Sequence, residues 1–215
     1  MRRDQSGFGL LEVTLALAIG LMVLAAAGQL FASAHHSWRL QGAALRLQDD
    51  ARLALLRMAQ DIRMAGMFGC LRLEPGNFPT PVAKQAFDRP LAIGPSSLSL
   101  VVAELPGHAG APDWTLLTNC TDKVQVHELR HPNPEKLISI PVSRHRYELN
   151  GARLMFVRRD GAQPLVDHVR ELRVTRVQAA QGERIDLQLT LHEPSLQLEQ
   201  RHALSVALRN PVSGS

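Results

Sequence analysis

Between Glu12 and Arg39 the chain carries no Asp, Glu, Lys or Arg, and from Val13 to Ala34 only Thr14, Gln29, Ser33 and glycines interrupt the apolar run. As a helix that run spans roughly 33 Å, against a hydrocarbon core of about 30 Å, so the pattern predicts one membrane crossing at about residues 13–34. Arg2 and Arg3 precede it. By the positive-inside rule the head, residues 1–7, stays cytoplasmic and everything after Ala34 is exported, in a bacterium to the periplasm. A cleaved secretory signal is the alternative, because Ala25-Ala26-Ala27 and Ala32-Ser33-Ala34 are small-residue sites. The run is longer than the ~7–15 residues of a signal core, however, and Glu12 stands at its mouth.

From Trp38 to Ala65 the period is helical and amphipathic. Leu40, Ala44, Leu47, Ala51, Leu55, Met58, Ile62 and Ala65 recur every three or four residues, with Arg39, Arg46, Asp49, Asp50, Arg57 and Asp61 elsewhere on the wheel. No proline occurs before Pro75. One helix over 8–65, roughly 87 Å long, is therefore expected, closed by Gly66 and weakest at Gly20 and Gly28. Its apolar stripe is expected to dock on the domain that follows.

Beyond Gly66 the period changes to two. Residues 97–100, 124–126, 137–140, 185–191 and 204–208 alternate as half-buried strands, and Asn150-Gly151 between two such runs marks a hairpin. Asp160-Gly161 marks the next turn. Seven prolines between Pro75 and Pro112 predict a loop-rich stretch with only short strands over 74–113. The expected fold is α+β: a long N-terminal helix, then a mainly antiparallel β domain over 66–215.

Composition adds limits. With 215 residues, 45% hydrophobic and 20% charged, the chain is neither disordered nor a polytopic membrane protein. The formal net charge of +4 is far below that of a histone-like binder. Two cysteines, Cys70 and Cys120, match no CxxC motif. They are either a bridge formed in an oxidising compartment, closing a loop of about 50 residues and adding about 4 kcal/mol on the chain-entropy model, or two buried free thiols.

No phosphate-binding loop, dinucleotide fingerprint, nucleophile elbow or HExxH motif occurs, so no enzyme is expected. His127 and His131 are four apart, which in extended chain is roughly 13 Å and too far to share an ion, so no metal or cofactor is expected. Arginines outnumber acids between Arg144 and Arg176, with Arg144 and Arg146 on one strand face and Arg173 placed to join them after a turn. That possible basic patch is expected to be a solvated face or a surface for acidic neighbours. With only Tyr147 and Phe156 as aromatics nearby it offers little for base stacking, and nucleic acid is not an expected partner.

Gly7-Phe8, followed four residues later by Glu12, with a basic leader before and an apolar helix after, resembles the class III signal of type IV pilins. The resemblance implies cleavage by a prepilin peptidase between Gly7 and Phe8, N-methylation of Phe8, and a role for Glu12 as the assembly carboxylate that meets a neighbouring subunit's terminal amine. Amine and carboxylate neutralise each other in lipid only when two such helices lie side by side, staggered along their axes.

The stretch Arg57-Met58-Ala59-Gln60-Asp61-Ile62-Arg63-Met64-Ala65-Gly66-Met67-Phe68-Gly69-Cys70 resembles the "LARDLRMAGYxGC" segment of the PilW family of minor pilins. Residues 164–172 resemble that family's "LVEGVEDL" segment, and Ala207-Leu208-Arg209-Asn210 its usual ending. Gly9-Leu10-Leu11 departs from the more usual Ser-Leu-Ile, and His168 stands where glycine is common. The resemblance implies an inner-membrane minor pilin that helps to initiate pilus assembly and sits at the pilus tip. Its implied partners are other minor pilins, the major pilin, the prepilin peptidase, the inner-membrane assembly platform and membrane lipid. A J-type pseudopilin of type II secretion is the nearest alternative. A membrane-anchored periplasmic binding domain with a basic sheet face is the alternative from another class.

Overall fold

A computed structural model of the chain describes residues 9–105, 110–179 and 182–209. The first helix, α1, runs unbroken over Leu10–Met64, straight through Gly20 and Gly28. It closes where Gly66 takes a left-handed φ of 75°. Two compact units divide the chain, Met1–Leu45 and Arg46–Ser215, so the division falls inside α1 rather than at its end. The physical reason is burial: from Leu47 onward one face of α1 is core, with Ala51, Met58, Ala59 and Ile62 wholly enclosed.

In the first unit α1 exposes its apolar side chains all round, from Leu10 to Phe31. It is the one described helix long and apolar enough to cross a membrane.

The second unit is mainly antiparallel sheet. The proline-rich stretch holds more order than its punctuation predicts, including a helix, α2, over Pro81–Asp88. Thr80 caps it by accepting the Ala83 amide hydrogen at 3.2 Å, and Pro81 sits in the first turn, where no amide is needed. Strands β1 (Leu91–Gly94), β2 (Ser97–Ala103), β3 (Trp114–Thr118), β4 (Val124–Glu128), β5 (Ile138–Asn150), β6 (Arg153–Arg158) and β7 (Gly161–Val166) form a seven-stranded sheet. Strands β8 (Val169–Ala179), β9 (Gly182–Glu193) and β10 (Leu198–Ala207) form a second, three-stranded sheet with β9 central.

The thirteen-residue β5 organises the larger sheet. Its residues 142–148 pair with β2, while its other edge is shared by β3 over 138–142 and β6 over 146–150. The β5–β6 hairpin turns at Gly151, whose φ of 59° suits an Asn-Gly turn. Both faces of β5 contribute to a core, although Arg144 and Arg146 leave part of one face exposed. Tyr147 packs into a core with Met58, Ile62, Leu98, Leu100, Phe156 and the inner face of β9, while Val142 packs into a smaller one with α2, Trp114 and Val126. Phe87 of α2 anchors the smaller core, with its ring against Phe68, Phe78 and Trp114 at 4.3, 5.4 and 5.5 Å.

Candidate functional site

Three groups of residues carry chemistry: the helix mouth, the crosslinked exit of α1, and a buried charged cluster beneath it. At the mouth, the Gly9 carbonyl accepts the first helical hydrogen bonds, from the amides of Glu12 at 2.9 Å and Val13 at 3.2 Å. Glu12 therefore lies in the first turn of α1, where the helix dipole favours a carboxylate. Gly7 and Phe8, the expected cleavage and methylation positions, lie outside the described residues. Farther along, Thr14 and Ser33 donate their hydroxyls to the carbonyls of Leu11 and Leu30, which satisfies polar atoms that lipid cannot. His35 stacks on Phe31 and meets Trp38 at centroid distances of 6.5 and 6.2 Å. This aromatic ladder stands just before Arg39, the pattern of a membrane–water boundary.

At the exit of α1, Cys70 and Cys120 form a disulfide with Cα atoms 5.4 Å apart, tying the segment after the helix to the β3–β4 turn. Gly69 has φ +123°, and a Cβ there would come within 3.2 Å of Ile140 Cδ1, so the chain needs glycine before the bridge. On the other side Asn119 shapes the turn, its side-chain oxygen accepting the amides of Thr121, Asp122 and Lys123.

Beneath α1 lies a cluster that sequence reasoning missed. His145 of β5 is almost fully buried, and its two ring nitrogens face two carboxylates: Nδ1 to Asp61 Oδ2 at 2.7 Å and Nε2 to Glu104 Oε1 at 3.0 Å. Tyr147 donates its hydroxyl to the same Asp61 oxygen at 2.6 Å, and Arg158 reaches Glu104 at 3.2 Å. Burial works to lower the pKa of His145. The hydrogen bonds to Asp61 and Glu104, and the charge of both, outweigh it and hold the imidazole above its ordinary 6.5. Burial and the Asp61 charge push the Tyr147 phenol far up. Asp61 sits within the 57–70 segment quoted above, but its partners lie 84 and 86 residues away, a distance no local pattern spans.

The basic residues are placed differently from expectation. Arg144 and Arg146 do share the exposed face of β5, but Arg173 lies on β8 in the other sheet, because the chain turns at Asp167-His168 and begins a new sheet. Each is already engaged: Arg144 lies over the Trp114 ring at 5.4 Å, Arg146 pairs with Glu148 at 2.9 Å, and Arg173 pairs with Glu171 at 2.7 Å.

The histidine spacing also needs correcting. Strand β4 ends at Glu128 and Leu129 takes a φ of 60°, folding the chain back so that His127 and His131 stack with ring centroids 3.8 Å apart and planes 4° apart. Burial first, then the neighbouring His131, lowers the pKa of His127. Stacked rings aim their lone pairs in parallel planes, not at a shared point. Among the described residues no three His, Cys, Asp or Glu side chains converge as a metal site.

Among known families, the prokaryotic N-terminal methylation motif matches residues 2–28. No curated protein and no solved structure matches the chain significantly. The motif indicates a type IV pilin-like chain and implies processing by prepilin peptidase and assembly with other pilins. With the apolar half of α1 behind it, it fits an inner-membrane anchor that holds the C-terminal domain outside.

Proposed function

We propose that this chain is a minor pilin of the PilW type, which joins other minor pilins in the inner membrane, helps to start pilus polymerisation and remains at the filament tip, with its β domain in the periplasm before assembly. The observation that carries the reading is the methylation motif over residues 2–28, heading a helix with no charge between Glu12 and Arg39. In this reading Gly7-Phe8 is the cleavage site, the methylated Phe8 amine caps the mature chain, and Glu12 pairs with a neighbour's amine. An unpaired carboxylate at the helix mouth costs free energy in lipid, so pairing favours assembly. The stretch from Met64-Ala65-Gly66 to Cys70 and the tail at Ala207-Leu208-Arg209-Asn210 favour the pilus over the secretion machine. The role is assembly and no catalytic step is assigned to the chain.

The test is genetic. Removing the chain from its host is expected to abolish surface pili while protein secretion continues. Wild type restores them, and Glu12→Val, still processed, does not. Normal piliation with failed secretion would transfer the chain to the type II machine, and loss of neither would overturn the assembly reading.

A further inference from the structure

The cluster under α1 has a property that follows from counting protons. Asp61 Oδ2 accepts the Tyr147 hydroxyl and lies 2.7 Å from His145 Nδ1. Glu104 Oε1 likewise accepts from the Arg158 guanidinium and lies 3.0 Å from His145 Nε2. A neutral imidazole has one N–H and one bare lone pair, so it can satisfy only one of these oxygens. Its other nitrogen would face a carboxylate at hydrogen-bond distance with no proton between them. Only the imidazolium donates to both.

The two carboxylates also belong to different elements. Asp61 is on α1, one turn before the helix ends at Met64, while Glu104 follows β2. His145 is central in β5, between Ser143 and Tyr147 on the same face. Among the described residues, Arg57 of α1 is seated over the Phe156 ring at 4.2 Å and beside Tyr147, and Arg158 of β6 also faces Asp160 at 3.6 Å. The Phe156 ring lies edge-on to His145 at 4.9 Å.

We propose that His145 is a proton-dependent clasp: as the imidazolium it joins Asp61 of α1 to Glu104 beside the sheet, and loss of one proton breaks one of the two bridges and weakens the hold on the last turns of α1. The clasp is closed while His145 is protonated and both carboxylates are ionised, and it opens as rising pH removes the imidazolium proton. Its hold is complete below the ordinary histidine value of 6.5 and declines as pH rises through the raised value of the folded state. This proposal concerns the second unit alone and stands or falls apart from the pilus reading.

The test uses the full chain in detergent micelles with 13C-labelled histidine. The His145 ring resonance, assigned by its absence in His145→Gln, is expected to titrate above the exposed histidines. Amide hydrogen exchange over residues 57–65, taken as a ratio to the intrinsic exchange rate at each pH, is expected to rise by up to about tenfold per pH unit between 6.5 and that titration point. In His145→Gln the ratio is expected to be flat. Should that variant fail to fold, Glu104→Gln removes one bridge and is expected to move the His145 titration downward. Titration of His145 at or below 6.5, a flat ratio in the wild type, or no movement in Glu104→Gln would each overturn the clasp.

Discussion

Asp61 Oδ2 accepts the Tyr147 hydroxyl at 2.6 Å, so a carboxylate on the last turns of α1 is held by the middle of the sheet's longest strand. The same oxygen faces His145, and removing it therefore does more harm than removing one of its donors. Tyr147→Phe keeps the ring in the core and is expected to cost about 1.5–3 kcal/mol, the range for a hydrogen bond to a charged group. Asp61→Ala strands a buried imidazolium and a phenol, at about 3–5 kcal/mol. Denaturant midpoints of the micelle-bound chain check both, and equal losses would contradict this ranking.

The disulfide closes a loop with a sequence separation of 50 residues. Cys120→Ser is expected to lower stability by about 4 kcal/mol on the chain-entropy model. Reduction of the wild type should give the same midpoint, because both remove the same constraint from the unfolded chain. A variant as stable as the oxidised wild type would show that the bridge is incidental.

His168 holds a left-handed φ of 61°, the conformation glycine takes at no steric cost, and its ring lies 3.6 Å from Glu193. For a side chain that backbone costs about 1–2 kcal/mol, and the partly exposed contact with Glu193 returns less. His168→Gly is therefore expected to be neutral to about 1 kcal/mol stabilising after glycine's own entropy is counted. A clear loss of stability would mean that the pairing with Glu193 outweighs the backbone.

Much of the fold was readable from periodicity. The unbroken α1, the stripe from Leu47 to Ala65 and the Asn150-Gly151 hairpin each rest on residues close in sequence. The misreadings have separate causes. Thr80-Pro81 is a cap-and-first-turn signal, but the surrounding prolines masked α2 because each was read as a break. The spacing of His127 and His131 assumed continued strand, and one left-handed residue, Leu129, reverses it. The Asp61, Glu104, His145 and Tyr147 cluster joins positions 41 to 86 residues apart, and only the pairing of β2 with β5 and the docking of α1 bring them together.

The His127–His131 stack gives a pH dependence of opposite sign to that of the clasp. The folded state holds His127 below its ordinary 6.5, so its contribution is present above that value and is lost as pH falls through the folded one. In His131→Ala the His127 resonance is expected to titrate higher than in the wild type, because the second cause of the depression is gone. An unchanged titration would assign the whole shift to burial.

The central claim is that α1 begins as a processed pilin terminus. The most direct measurement is the mass of the mature N-terminal peptide, from protein isolated in its own host membrane. The account predicts a chain that starts at N-methylated Phe8, with residues 1–7 removed. A terminus at Gly28 or His35, or an intact Met1, would contradict it.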